Sequence, residues 1–150
     1  MCRVLPLLLI TLLVGCDTGY YGIHRYARVS FMPELDKVGV VVRETPGVDD
    51  VQYRATAARH PIPLPGIMSQ VHTFSYRGAS NVHGSLSFIL RYKGTVEYSQ
   101  SLLTRRRPPQ EWINATRPVM LQIETRLEQS CGLTNLQASV DESCVGVKCK

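Results

Sequence analysis

Histidine, serine and paired acidic side chains often carry chemistry, and their spacing in this chain does not build a reactive site. Two metal ligands on one helix face stand four residues apart, whereas the four histidines lie at positions 24, 60, 72 and 83. No Gly-x-Ser-x-Gly segment presents a nucleophile, and Ser85 and Ser87 fit the polar side of a strand. Glu124 and Glu128 lie one turn apart on a predicted helix, which is typical of a solvated face. We therefore expect no catalytic residue, no metal site and no cofactor, and we interpret the chain as a non-enzyme.

A short apolar run near the N-terminus indicates export. It covers 11 residues from Val4 to Val14, whereas a membrane-spanning helix needs about 17 to 25 apolar residues. The only charge in the first 15 residues is the basic Arg3. A positive charge followed by an apolar run of this length is typical of a secretory signal peptide. The segment therefore predicts a signal rather than a membrane span or a buried helix.

The end of this run has the pattern of a lipid-attachment site. The segment Leu13-Val14-Gly15-Cys16 resembles the lipobox of bacterial lipoproteins, and the resemblance covers about the first 17 residues only. It implies that the Cys16 thiol receives diacylglycerol, that the Gly15–Cys16 bond is cleaved and that the new amine is acylated. Because two or more acyl chains anchor a protein stably, the resemblance implies membrane lipid as a partner and a location facing the periplasm.

The residue after the lipidated cysteine bears on which membrane is used. Asp17 resembles the signal that retains lipoproteins in the inner membrane of enteric bacteria. Other bacteria use different positions for this sorting. Asp17 therefore favours the inner membrane, and the outer membrane stays open as an alternative.

Three cysteines remain once Cys2 leaves with the signal and Cys16 is lipidated. They are Cys131, Cys144 and Cys149. Outside the cytoplasm, thiols oxidise where geometry allows, and an odd number leaves one thiol over. We expect one disulfide among these three candidates, and the sequence does not choose the pair. A zinc site is disfavoured because the chain has no Cys-x-x-Cys segment and no histidine near these cysteines.

The balance of charge is mildly basic, with 17 Lys and Arg against 12 Asp and Glu. A net charge of +5 suits anionic partners such as lipid headgroups, and export argues against nucleic acid. The positive charge is clustered only at Arg105, Arg106 and Arg107. These three side chains are candidate membrane-surface contacts, although a solvated loop before a helix explains them as well. Tyr20, Tyr21 and Tyr26, interleaved with Arg25 and Arg28, are further interface candidates.

Most of the remaining chain has strand patterning. Strands are predicted over 26–31, 37–44, 51–57 and 71–78, where β-branched or alternating residues dominate. Residues 86–103 predict a hairpin about Lys93-Gly94 with Leu86, Phe88, Leu90, Val96, Tyr98 and Leu102 facing inward. Since these positions are all even, Leu90 must pair with another even residue, which a two-residue loop at Lys93-Gly94 does not allow. We therefore expect a three-residue loop from Tyr92 to Gly94, which pairs Leu90 with Val96. Three prolines at 61, 63 and 65 exclude a regular strand from residues 60–67.

One segment has clear helical periodicity. Val119, Met120, Ile123 and Leu127 follow helical spacing that extends to Cys131, and Gly132 is placed to end the helix. Pro118 predicts either a kink in a longer helix or, as we prefer, a short turn around Trp112 followed by a main helix over 117–131. Residues 133–140 predict a final strand.

These elements give a coherent expectation for the whole chain. We expect an α+β fold: an antiparallel sheet of about four to six strands with one main amphipathic C-terminal helix packed on it. The predicted organisation is a cleaved signal (1–15), a lipidated tether (16–25) and one α+β domain (26–150). The predicted function is a membrane-anchored, non-enzymatic binding module in an envelope or secretion assembly, with an envelope protein as partner. The alternative is an inhibitor or immunity lipoprotein that captures a toxin or a wall-degrading enzyme through a loop at 58–67.

Overall fold

The fold is an antiparallel sheet with helices on one face. The computed structural model describes residues 20–57, 70–78, 82–91 and 94–147. Its strands are β1 (Tyr21–Val29), β2 (Val48–Ala57), β3 (Gln70–Gly78), β4 (Val82–Leu90), β5 (Val96–Thr104) and β6 (Asp141–Val145). Its helices are α1 (Leu35–Arg43), α2 (Gln110–Cys131) and the short α3 (Leu136–Ser139).

All six strands form one sheet in the order β2-β3-β4-β5-β1-β6, and every neighbouring pair is antiparallel. The predicted α+β class, with four to six antiparallel strands and a main C-terminal helix, is confirmed. β1 lies between β5 and β6 rather than beside β2. The first strand of the described chain is thus an inner strand, held on both sides by later parts of the sequence.

The hairpin of β4 and β5 has the predicted register. Leu90 pairs with Val96 and Phe88 pairs with Tyr98. The Arg91 amide donates to the Thr95 carbonyl at 2.7 Å, and Gly94 has a φ of 78°, as a three-residue loop with a left-handed glycine requires. The inward set is correct except at Leu90, which is 44% exposed and lies at the end of the hairpin beside its loop.

The predicted strand over 37–44 is wrong, because this segment forms the helix α1. Its valines suit either element by type, but Val38, Val41 and Val42 recur at helical spacing and are buried. As a helix the segment places these three side chains on the sheet and leaves Val40 at the surface. Burial of one helix face therefore outweighs the preference of β-branched residues for strands.

α2 is one continuous helix of 22 residues rather than a short turn followed by a helix from 117. Pro118 lies inside it on the exposed side, where it removes a single main-chain hydrogen bond. Buried residues at helical spacing, from Ile113 through Met120 and Ile123 to Leu127, hold both halves on the core. Gly132 ends the helix with a φ of 69°, as predicted.

The last and the first predicted strands also differ from the structure. The final strand predicted at 133–140 is wrong, because Leu136–Ser139 is helical and the strand is Asp141–Val145. The first strand begins at Tyr21 instead of residue 26, so that residues 21–25 of the predicted tether belong to the sheet.

The hydrophobic core lies between the sheet and the helices. The sheet contributes Ile23, Ala27, Phe74, Tyr76, Leu86, Phe88, Val96, Tyr98 and Leu102, and the helices contribute Val38, Val41, Val42, Ile113, Met120, Ile123, Leu127 and Leu136. The other face of the central strands carries short polar side chains, among them Thr73, Ser85, Ser87, Ser99 and Ser101, which are half-buried.

Candidate functional site

The basic triplet lies at the end of the sheet where the described chain begins. Tyr21, the first residue of β1, pairs with Thr104, the last residue of β5. Arg105, Arg106 and Arg107 follow Thr104 directly, and all three are exposed. β-pairing therefore brings the three candidate membrane-surface residues beside the point at which the chain from Cys16 enters the fold. Cys16 itself lies outside the described residues.

The aromatic residues of this segment occupy different environments. Tyr20 precedes β1 and is 54% exposed. Tyr26 is half-buried on the polar face of the sheet, opposite Ser99. Arg25 points to the other face and is only 6% exposed. Of the interleaved tyrosines and arginines proposed for a membrane interface, Arg25 is thus excluded by burial.

The two C-terminal cysteines within the described residues differ in their bonding. Cys144 in β6 is disulfide-bonded, and Cys131 at the end of α2 is a free, half-buried thiol. The bonded partner of Cys144 lies outside the described residues, as does Cys149. Burial raises the pKa of the Cys131 thiol, which favours its neutral, less reactive form.

A buried ion pair joins the sheet to the main helix. Arg25 of β1 donates from Nε and Nη2 to the two carboxylate oxygens of Glu124 in α2, both at 2.9 Å. Glu124 is fully buried, so the solvated position predicted for it is wrong. Spacing on the helix allowed either face, and the partner that decides the face lies 99 residues away.

The ion pair extends toward the sheet edge through β6. Arg25 also donates to Glu142, and the second oxygen of Glu142 accepts from Arg117 of α2 at 2.7 Å. Arg25 and Glu142 are direct partners in the β1–β6 ladder. Among the buried polar side-chain atoms of the described chain, Nε of Arg117 has no hydrogen-bond partner. Two arginines and two carboxylates thus alternate beneath α2.

On the side of Glu124 toward the middle of the sheet, neutral side chains extend the ion pairs into a larger buried cluster. The Tyr98 hydroxyl lies 2.8 Å from Oε1 of Gln100 and 3.1 Å from Oε1 of Glu124. The Gln100 amide nitrogen donates to the Tyr76 hydroxyl at 3.0 Å. Gln100 is fully buried, and these bonds satisfy a side chain that is otherwise costly to bury.

A glycine makes the last of these contacts possible. Gly84 of β4 pairs with Tyr76 of β3, and the tyrosine ring lies directly over it. A Cβ atom at Gly84 would stand 2.2 Å from Cζ of Tyr76. The missing side chain therefore lets the ring cross β4 and reach Gln100 on β5.

The protonation of this cluster follows from its surroundings. Burial raises the pKa of Tyr76 to about 12, and burial together with the charge of Glu124 raises the pKa of Tyr98 well above its usual value. Burial lowers the pKa of Arg25, but the hydrogen bonds and charges of Glu124 and Glu142 more than compensate, and the net pKa is raised. The tyrosines are neutral and Arg25 is charged at physiological pH, which suits a structural cluster.

The opposite face of the sheet carries a shallow polar cavity of about 420 Å³. Ser75, Ser85, Ser101 and His83 line it, and an ion pair between Asp50 and Arg77 closes one side at 3.2 Å. Nδ1 of His24 lies 2.7 Å from Oγ of Ser101. These two residues are direct partners in the β1–β5 ladder, so the contact has the geometry of an ordinary cross-strand polar pair.

Some of the candidate residues from the sequence lie outside the described residues. His60 and the loop at 58–67 lie outside. No group of three or more metal-binding side chains occurs within residues 20–57, 70–78, 82–91 and 94–147. In the same residues, no helix combines the length and the apolar character that a membrane crossing requires.

Sequence reasoning missed the buried cluster, although its members left a weak signal. Gln100 occupies an even, inward position of the predicted hairpin, where a polar residue is unexpected.

No protein-family model, curated protein or solved structure matches this chain.

Proposed function

We propose that this chain is a bacterial lipoprotein, anchored to an envelope membrane through Cys16, whose folded domain is a non-enzymatic binding module for an envelope protein. The lipobox-like segment Leu13–Cys16 supports the anchor. The observation that carries the proposal is the pairing of Tyr21 with Thr104, because it puts the start of the domain and the basic triplet at one end of the sheet.

Chain length keeps that end close to the anchor. Four residues separate Cys16 from Tyr21, so their Cα atoms can be at most about 17 Å apart. Arg105, Arg106 and Arg107 are then within reach of headgroups, where each contributes about 1 kcal/mol at an anionic surface. The two features support one orientation, in which this end of the sheet faces the membrane.

The opposite end of the sheet is then directed away from the membrane. Val29, Leu90 and Val96 form that end, about 26 Å from Tyr21 at roughly 3.3 Å per residue. The sides of the sheet are left open to a partner, and anchoring raises the local concentration of the module there.

The single tryptophan provides a direct test of this orientation. Trp112 is half-buried in the first turns of α2, close in sequence to the triplet. We expect brominated lipids to quench its fluorescence when the full-length lipidated protein is reconstituted in vesicles. The matched control moves the probe to the far end by combining Trp112→Phe with Leu90→Trp, and we expect little quenching there. Equal quenching at the two positions, or stronger quenching at position 90, would refute the orientation.

A further inference from the structure

The two edges of the sheet differ in how they are protected. β6 has five residues and carries two acidic side chains, Asp141 and Glu142. β2 has ten residues, and beyond the irregularity between Asp49 and Gln52 its only charge is Arg54. Natural proteins protect exposed edges with charges, prolines, bulges or short strands. The part of β2 from Val51 to Ala57 has little of this protection.

This edge is accessible in the described chain. Residues 52–57 are all exposed, and no described strand pairs with β2 on the side away from β3. The outward main-chain N–H and C=O groups of an edge strand form a row that only another extended chain can pair throughout. The chemistry of the edge thus specifies its occupant as an extended polypeptide.

An apolar groove lies beside the same edge, on the helix side of the sheet. Its volume is about 680 Å³, and its apolar lining consists of Leu35, Gly39 and Val40 of α1 with Tyr53 and Phe74 of the sheet. Val40 is 45% exposed and Tyr53 is 51% exposed, so two large apolar side chains face solvent across one groove. These two side chains are available for contact with apolar side chains of a bound segment.

The register connects the groove with the edge. Tyr53 pairs with Phe74, whose side chain is in the core, so the odd residues of β2 beyond the irregularity between Asp49 and Gln52 point to the helix side. A strand added beside β2 would direct every second side chain to that side as well. We propose that β2 and this groove bind an extended segment of a partner polypeptide by strand addition, with alternate apolar side chains inserted beside Val40 and Tyr53. This inference rests on the proposed function and names the way in which the module recognises its partner.

The charged residues at the rim of the groove favour one direction of the bound segment over the other. Arg43 ends α1, and only residues 44–47 separate it from the start of β2. Glu34 and Asp36 lie at the opposite end of α1 and line the same groove. A segment with a basic residue near Glu34 and Asp36 and an acidic residue near Arg43 complements this arrangement.

A second copy of the chain is a poorer occupant than a separate partner. Two-fold symmetric pairing of β2 with itself makes the two strands antiparallel. The ends that carry Tyr21 and the basic triplet would then point in opposite directions. Two lipid anchors with short connections to Tyr21 cannot both reach one membrane from such a dimer. The proposed orientation thus favours a heterologous strand.

Synthetic peptides test the proposal with the full-length lipidated protein in detergent micelles. The probes are ten-residue peptides in which Val, Leu or Phe alternates with Thr, with Lys at one end and Glu at the other. We expect binding, measured by fluorescence anisotropy, and slower amide hydrogen exchange in residues 51–57. Tyr53→Lys and Val40→Glu should each weaken binding at least tenfold, whereas Leu90→Lys, which alters an equally exposed apolar residue elsewhere, should not.

Main-chain pairing is tested with methylated peptides. Methyl groups on alternate backbone nitrogens remove the donors from one edge of a peptide, and the two complementary patterns treat its two edges. One pattern must abolish binding if the peptide adds as a strand. The proposal is overturned if no peptide slows exchange in residues 51–57, if both groove variants bind normally, or if both methylated forms bind.

The same experiment with Cys16→Ser separates this proposal from the anchoring. Peptide binding by a chain that carries no lipid is the expected result, because the groove does not involve the lipid. If the wild-type chain binds peptide but carries no lipid, the anchoring is wrong and strand addition stands. If it is anchored but binds no peptide, strand addition is wrong and the anchoring stands.

Discussion

At the scale of single residues, the most consequential interaction is the buried pair of Arg25 and Glu124. Neither side chain could be assigned to the interior from sequence, since a charged residue is buried only where a distant partner compensates its charge. The sequence placed Glu124 on a solvated face and Arg25 near the membrane. The fold instead places the two side chains in a bidentate contact beneath α2.

Removing one member of this pair should be costly. Glu124→Leu leaves Arg25 buried with only part of its compensation, and we expect the free energy of unfolding to fall by about 3 to 5 kcal/mol in urea titrations. The double variant Arg25→Met with Glu124→Leu should recover most of that loss, because Glu142 keeps Arg117 as its partner. Glu111→Gln on the exposed side of the same helix is the control, with a change below about 0.5 kcal/mol. A loss below about 1 kcal/mol for Glu124→Leu would contradict the cluster.

The tyrosines of the cluster predict a loss of stability at alkaline pH. Since burial raises the pKa of Tyr76 from 10.0 to about 12, the unfolded chain ionises first, and the stability held below pH 10 is lost as the pH rises to 12. The contribution of Tyr76 is about 2 to 3 kcal/mol. Unfolding measured across this range should show a shallower decline for Tyr76→Phe than for the wild-type chain. Identical slopes for Tyr76→Phe and wild type would be evidence against the burial of this hydroxyl.

At the scale of the elements, the alternation of odd and even positions along a strand explains why the hairpin register was predicted correctly. The hairpin register follows from the even positions of its apolar residues, since a shift by one residue would turn each of them outward. The segment 37–44 was less determined, because its valines satisfy strand propensity and helical spacing at once. Only the sheet on which Val38, Val41 and Val42 pack decides between them, and that sheet is assembled from later residues.

The start of α2 and the buried cluster were also difficult to predict from local sequence. Pro118 is a valid signal for a boundary, yet the helix continues through it because Pro118 is on the exposed side and Met120 and Ile123 pack the other side into the core. Apart from the unexpected inward position of Gln100, the buried cluster could not be predicted, since it requires the register of β1 with both β5 and β6. Local patterns thus predicted the α+β class, while the partners across the sheet had to be observed.

The crossing of β4 by Tyr76 gives a prediction about the sheet itself. Gly84→Ala introduces a Cβ atom into the tyrosine ring, and the resulting shift should destabilise the fold by about 1 to 3 kcal/mol. Thermal unfolding provides the measurement. Ser85→Ala, on the opposite face of the same strand, is the control and should change little. A neutral Gly84→Ala would mean that the ring does not lie over this position.

At the scale of the whole molecule, the proposed orientation gives the basic triplet a measurable role. Replacing Arg105, Arg106 and Arg107 with Gln should weaken binding of the Cys16→Ser chain to anionic vesicles by about 3 kcal/mol at low salt. Binding to neutral vesicles should not change, and added salt should reduce the difference. Replacing Arg43, Arg54 and Arg91 with Gln removes the same charge from other parts of the surface and should have a smaller effect. Equal losses for the two sets would show that only net charge matters.

The central claim is the lipid anchor at Cys16, and the intact mass of the protein extracted from membranes tests it most directly. The account predicts a chain that starts at Cys16 and carries the added mass of a diacylglyceryl group and an amide-linked acyl chain. It also predicts that Cys16→Ser is neither processed at Gly15–Cys16 nor held in the membrane through lipid. A Cys16→Ser chain that is still processed and membrane-bound would contradict the account.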